Sequence, residues 1–99
     1  MTTLLQKAKK AGLEVEIHRS RPVVLGIGEY SRHELNVQNR ANGTDLKFSQ
    51  YGGTTTVFVH SDTRSVMCQA FCSPEDRFDR RLGVTIALGR CLKILGIVL

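Results

Sequence analysis

The feature that most constrains the fold is a pair of alternating stretches joined by a very short connection. Residues 54–61, TTTVFVHS, and residues 65–72, SVMCQAFC, alternate apolar with polar side chains, and only residues 62–64 lie between their cores. A period of two is typical of half-buried strands, and strands joined by so few residues run antiparallel. Residues 44–51, TDLKFSQY, are predicted to form another strand before a turn at Gly52-Gly53. This part of the chain therefore predicts an antiparallel meander.

The N-terminal half predicts a short helix followed by one or two strands. Thr2 or Thr3 is expected to cap the helix, and Gly12 is expected to end it. From residue 13 the period changes to two over residues 13–17, and the polar run HRSRP is expected to end that strand. The apolar stretch VVLGIG follows, with two glycines that suggest an edge or a bulge. Residues 29–43 fit neither period, which leaves a strand with a long loop or one turn of helix.

The C-terminal third predicts a long helix. Ser73 is a good N-cap, Pro74 suits the first helical position, and the two acidic residues after it favour the positive end of the helix dipole. The helix is expected to span roughly six turns at about 3.6 residues each. Gly83 and Gly89 are expected to let it approach another backbone closely. The last residues, LKILGIVL, either finish the core or meet a second copy in a homodimer.

Length and composition favour a single domain over residues 1–99, of the α+β class. We expect a short N-terminal helix, an antiparallel sheet of four or five strands, and a long C-terminal helix packed on one face. The N-terminal sequence MTTLLQKAKKAG lacks the apolar core of a secretory signal, and the apolar runs are too short for a membrane span. An odd number of cysteines, three, favours free thiols in a reducing compartment. We therefore expect a cytoplasmic protein without a membrane partner.

The net charge of +5 favours an acidic partner such as a nucleic acid or an acidic protein surface. Arginines recur on the outer positions of the predicted C-terminal helix, at the end of the first strand (Arg19 and Arg21) and in residues 29–43. One alternative is that Asp76 and Asp79 pair with the helix arginines to give an ordinary solvated face, and another is that the charge only keeps the domain soluble. The predicted partner-binding residues are Arg77, Arg80, Arg81, Arg32, Arg40 and Tyr30.

No catalytic or metal-binding pattern is evident. Cys68 and Cys72, four residues apart on a strand, would lie about 13 Å from each other at roughly 3.3 Å per residue, too far to share a metal ion. His60 and Cys68 lack an orienting acid, and Gly26-x-Gly28 lacks the third glycine of a dinucleotide fingerprint. The sequence therefore predicts a protein that is not an enzyme, with no metal site and no cofactor.

The stretch CSPEDRFDRRLGVTIALGRCLKIL resembles the ending of small phage and prophage proteins of unassigned function. They share a cysteine, an acidic cap, a phenylalanine, an arginine, a glycine and a terminal Ala-x-Gly-Arg helix. The matching positions are Cys72, Asp76, Phe78, Arg80, Gly83, Ala87, Gly89 and Arg90.

The resemblance implies a phage-type binding protein that inhibits a nucleic-acid-directed defence complex in the host cytoplasm, as anti-CRISPR proteins do. Its partner would be a host protein or ribonucleoprotein complex. Many such inhibitors are acidic mimics of DNA, whereas this chain is basic, so binding to the effector surface or to its nucleic acid is the remaining route. The alternative function is a basic nucleic-acid-binding accessory protein that contacts phosphates through an arginine-rich surface.

Overall fold

The computed structural model describes residues 2–99 and confirms an α+β fold. The longest helix is the last element of the chain. The helices and strands are, in chain order, α1 (Leu4–Lys10), β1 (Glu14–Pro22), β2 (Glu29–Tyr30), α2 (Arg32–Asn42), β3 (Tyr51–His60), β4 (Ser65–Arg77) and α3 (Arg80–Leu95).

The strands of the described chain form one antiparallel sheet in the order β2-β1-β3-β4. The predicted hairpin between β3 and β4 is confirmed, and its turn is closed by the N–H of Ser61, which donates to the carbonyl oxygen of Arg64 at 2.8 Å. β2 is a short edge strand whose two residues pair with Arg21 and Pro22 of β1. The sheet therefore ends at a narrow hairpin formed by β1 and β2.

α1 and α3 cover one face of this sheet. Val57 and Val59 of β3 are fully buried against Leu88 and Cys91 of α3, and Ala8 of α1 completes the same cluster. The alternation along β3 explains this, because every second side chain points to the helix face. The prediction of a long C-terminal helix packed on one face is confirmed.

The long helix begins later than the sequence signals predict. Asp79 is its N-cap, and the Asp79 carboxylate accepts the N–H of Leu82 at 3.0 Å. Ser73 lies within β4, where its hydroxyl accepts the N–H of Glu75 at 3.3 Å. The predicted cap is wrong because the β3–β4 ladder resumes at Arg77 after an irregularity, which keeps the preceding residues extended.

The strand predicted over residues 44–51 is also wrong. Of residues 44–50 only Phe48 makes a bridge, to Val23, and Tyr51 is already the first residue of β3. Gly52 and Gly53 do not form a turn but lie inside β3, both with positive φ, at the register shift opposite β4. A Cβ at Gly53 would lie 2.7 Å from the ring of Phe78, so glycine allows that ring to pack directly on the strand.

Residues 29–43 form β2 and α2 rather than an irregular loop. Ser31 and Glu34 make a capping box: the Ser31 hydroxyl accepts the N–H of Glu34 at 3.1 Å, and the Glu34 carboxylate accepts the N–H of Ser31 at 3.0 Å. Hydrogen bonding of the Glu34 carboxylate to the backbone N–H and then to the side chain of Ser31 lowers the pKa of Glu34 below its ordinary value. Gly43, in the left-handed conformation, ends the helix.

Candidate anion-binding site

The polar run HRSRP forms the second half of β1 instead of ending it. Pairing with β3 continues to Ser20, opposite Thr54, so the alternation that buries Ile17 carries on along the strand. Arg19 and Arg21 consequently lie on the same face as Ile17, the face that α3 covers. Both are half-buried near the start of that helix.

Arg21 is held in place by two rings and one carbonyl group. Its guanidinium lies 5.2 Å from the ring centroid of Phe48 and 5.0 Å from that of Phe78, within the range of cation–π contacts. Its Nη2 donates to the carbonyl oxygen of Ser49 at 2.6 Å. These contacts fix the position of the guanidinium.

Four arginines surround one cavity of about 200 Å³. Two come from β1, and the other two are Arg32 and Arg80, the first residues of α2 and α3. A cation at the first position of a helix is electrostatically unfavourable because the dipole is positive there. Four guanidinium charges and the positive ends of two helices therefore meet at this cavity. The cavity lining, which we call the arginine cavity, consists of Arg19, Arg21, Tyr30, Arg32, Phe48 and Arg80.

The arginines of the cavity have no acidic partner within residues 2–99. The ion pairs in that range join Glu16 to His18 and His60, and Asp45 to Lys47. The carboxylate of Glu29, next to Tyr30, instead accepts the hydroxyls of Ser20 and Thr54, at 3.1 and 2.9 Å. The alternative that Asp76 and Asp79 neutralise the helix arginines is thus not seen in the described chain.

Burial and mutual repulsion act on the two inner arginines. Burial, and then the charge of Arg80, lower the pKa of Arg19 below its ordinary value. The same causes, with Arg32 as a further charge, lower the pKa of Arg21. The buried Nε atoms of Arg19 and Arg21 have no hydrogen-bond partner. An anion in the cavity would relieve this repulsion and accept hydrogen bonds from the guanidinium groups.

The predicted site residues divide between this cavity and the surrounding surface. Arg32, Arg80 and Tyr30 line the cavity. Arg77 lines an adjoining groove of about 320 Å³ with Arg21, Gln50 and Phe78, and its Nη2 donates to Oε1 of Gln50 at 3.0 Å. Arg40 and Arg81 are exposed on α2 and α3 outside both linings. Arg21 belongs to both the cavity and the groove and so connects them.

Arg19, Arg21 and Phe48 line the cavity but are not among the site residues predicted from the sequence. A signal for the arginines exists, because the alternation of residues 13–17 extends to 19 and 21 without a break. Phe48 carries no such signal, since it reaches the site through the single bridge to Val23.

The cysteines lie away from this cavity and have free thiols. Cys91 is fully buried, its thiol donates to the carbonyl oxygen of Val57 at 3.5 Å, and burial together with Cys68 raises its pKa to about 12. Such a thiol stays protonated at neutral pH and is a poor nucleophile. Within residues 2–99, no group of three His, Cys, Asp or Glu side chains is arranged to hold a metal ion.

No protein-family model, no curated protein and no solved structure matches this chain. In the part of the chain described, no helix is both long and apolar enough to cross a membrane. The arginine cavity is therefore the main indication of what the protein binds.

Proposed function

We propose that the protein is a non-catalytic binding protein that holds the phosphate groups of a nucleic acid in the arginine cavity. The observation that carries this proposal is the convergence of four arginines on a cavity of about 200 Å³ without a carboxylate among the described residues to neutralise them. Guanidinium groups present a planar fork of donors that matches phosphate oxygens. Arg32 and Arg80 are exposed, but Arg19 and Arg21 are half-buried without a counter-charge, which is unfavourable, so a bound phosphate would also stabilise the folded protein.

A polymer of phosphates fits the surroundings better than a single anion. Arg21 is shared between the arginine cavity and the groove that contains Arg77, so two phosphate positions would adjoin one another. The net charge of +5 adds a long-range attraction to a polyanion. Few aromatic side chains are available to stack on unpaired bases, which favours contact with a duplex backbone.

The test is fluorescence anisotropy of labelled double-stranded DNA and RNA at low and physiological salt. We expect binding that weakens steeply with salt, and we expect the Arg32→Gln, Arg80→Gln double variant to lose much of it. The slope of log affinity against log salt should fall by roughly 0.9 for each phosphate contact removed. Neither arginine forms an ion pair within residues 2–99, so the fold should be retained.

The matched control is the Arg40→Gln, Arg81→Gln double variant. It removes the same charge from the same two helices, α2 and α3, but from side chains outside the cavity. We expect a much smaller loss of affinity. Equal losses in the two double variants would show that net charge alone drives binding, and would contradict a role for the cavity.

A role as an inhibitor of a host nucleic-acid-directed defence complex, in the host cytoplasm, remains the second proposal. Arg32 and Arg80, at the starts of two helices and without an ion-pair partner in residues 2–99, favour this second proposal. A surface that binds phosphates could bind the guide or target strand of such a complex. If the protein binds no nucleic acid at low salt, the same variants are tested in a pull-down with CRISPR effector complexes. If the wild-type protein captures an effector complex and the Arg32→Gln, Arg80→Gln variant does not, inhibition through this surface is supported.

A further inference from the structure

The connection between β1 and β2 exposes aliphatic side chains almost completely. We call residues 24–27, Val-Leu-Gly-Ile, the apolar tip. Leu25 is 99% exposed and Ile27 is 91% exposed. Single exposed aliphatic residues are common, but two fully exposed ones on one narrow tip are a candidate contact for a partner.

The tip also places an apolar side chain in an unfavourable backbone conformation. Among residues 2–99, Leu25 is the one residue other than glycine with a positive φ, 63°. This left-handed region suits glycine or asparagine far better than leucine. With 99% of Leu25 exposed, contacts within the chain do little to compensate for the strain. A partner that contacts Leu25 would add a stabilising interaction at this strained position.

The tip nevertheless has a defined shape. The N–H of Val24 donates to the carbonyl oxygen of Lys47 at 2.9 Å, which ties the tip to the segment before β3. A Cβ at Gly26 would collide with Cγ2 of Val23, so glycine is needed for this tight turn. The tip is therefore a small projection that this hydrogen bond and the tight turn keep in one backbone conformation.

The apolar tip and the arginine cavity are parts of one surface. Arg21 and Tyr30 pair across β1 and β2 at the base of the tip, and both line the cavity. Phe48, a third lining residue, bridges to Val23 at the beginning of the tip. A partner whose phosphate occupies the cavity would therefore lie close to the base of the apolar tip.

A duplex fits this combination of charge and apolar projection. Two aliphatic side chains are far too few for a specific protein interface, which buries roughly 1,200 Å² or more. One or two such side chains are sufficient to enter a base step from the minor groove and unstack it, while basic residues hold the adjacent phosphates. We propose that Leu25 and Ile27 form a wedge that inserts between neighbouring base pairs of double-stranded DNA. This inference rests on the proposed phosphate-binding function.

The test uses the full chain and a DNA duplex with 2-aminopurine in a flexible TA step. At saturating protein we expect a rise in 2-aminopurine fluorescence and a shorter end-to-end distance by energy transfer, as the step unstacks and the duplex bends. Leu25→Asn and Ile27→Ser should each lose most of both signals. Leu25→Asn should melt at the same temperature as wild type or higher, because asparagine tolerates the left-handed conformation. The matched control is Met67→Ser, which removes a half-exposed apolar side chain outside the tip and should keep both signals.

The outcomes separate the wedge from the function on which it rests. Absence of binding to both duplex DNA and duplex RNA by anisotropy at low salt would overturn both. Salt-dependent binding without a 2-aminopurine signal, or with equal signals in wild type and Leu25→Asn, would overturn the wedge alone. Binding to phosphatidylserine vesicles that Leu25→Asn abolishes, with no signal from the DNA, would assign the tip to a lipid surface and overturn the wedge. Binding to an RNA duplex that Leu25→Asn abolishes, with no signal from the DNA, would also overturn the wedge.

Discussion

Single glycine residues decide how closely α3 can lie against the sheet. The sequence predicts close approach at both Gly83 and Gly89, but the structure has it only at Gly83. A Cβ at Gly83 would collide with Oγ1 of Thr55, which is fully buried in β3, whereas a Cβ at Gly89 would have no neighbour within 4 Å. The same residue type in the same helix therefore has two different physical roles.

We expect opposite effects from the two corresponding alanine substitutions. Gly83→Ala should lower the free energy of unfolding by about 1–3 kcal/mol, since overpacking against Thr55 outweighs the gain in helix propensity. Gly89→Ala should raise it by up to about 1 kcal/mol, because the added methyl group meets no neighbour. Urea unfolding followed by circular dichroism measures both values, and a stabilising Gly83→Ala would contradict the observed packing.

At the scale of elements, most predictions from local periodicity are correct, although the alternating residues 44–50 do not form the strand that their pattern predicts. β3, the start of β1 and most of α3 follow from their patterns. The start of α3 does not, since the favourable cap at Ser73 is overridden by pairing of Arg77 with β3, which no local signal reveals. α2 was missed although its signals are present, as the spacing Ser31-x-x-Glu34 is that of a capping box and Asn42-Gly43 marks its end.

The candidate site shows the same division between local and long-range information. Arg80 was predicted as a basic residue on the outer face of the C-terminal helix, and Arg32 and Tyr30 as basic and aromatic residues of segment 29–43. Their convergence with Arg19 depends on how far β1 pairs with β3, and therefore on a register that the sequence does not specify. Residue type identifies the candidates, and the sheet topology brings them together.

The corrected start of α3 leads to a prediction about its cap. Asp79→Ala should lower the free energy of unfolding by about 1 kcal/mol, because the N–H of Leu82 loses its acceptor. Asp79→Asn retains a capping oxygen without the charge and should cost much less. Ser73→Ala should be close to neutral, because Ser73 lies in β4. Thermal unfolding of the three variants checks this order, and a larger loss from Ser73→Ala than from Asp79→Ala would contradict the assignment.

At the scale of the whole molecule, α3 separates two different surfaces. The arginine cavity lies at its first residue, Arg80, and an apolar cluster lies at its end. Ile97 packs against the core, whereas Ile94 is 52% exposed and Val98 is 95% exposed. Sixteen helical residues span about 24 Å at roughly 1.5 Å each, so a contact at one end of the helix leaves the other end free.

The predicted homodimer is therefore expected to form through the end of α3. The exposed apolar area there is small, so we expect a weak dimer that dissociates on dilution, with a mass approaching twice 11.0 kDa at high concentration. Ile94→Gln with Val98→Gln should give a monomer at every concentration in sedimentation equilibrium. Its affinity for a short duplex should be unchanged, since the arginine cavity lies at the opposite end of α3 from the two substituted residues. A wild-type chain that stays monomeric throughout the concentration range would contradict the dimer, and the apolar end of α3 would then serve only to finish the core through Ile97.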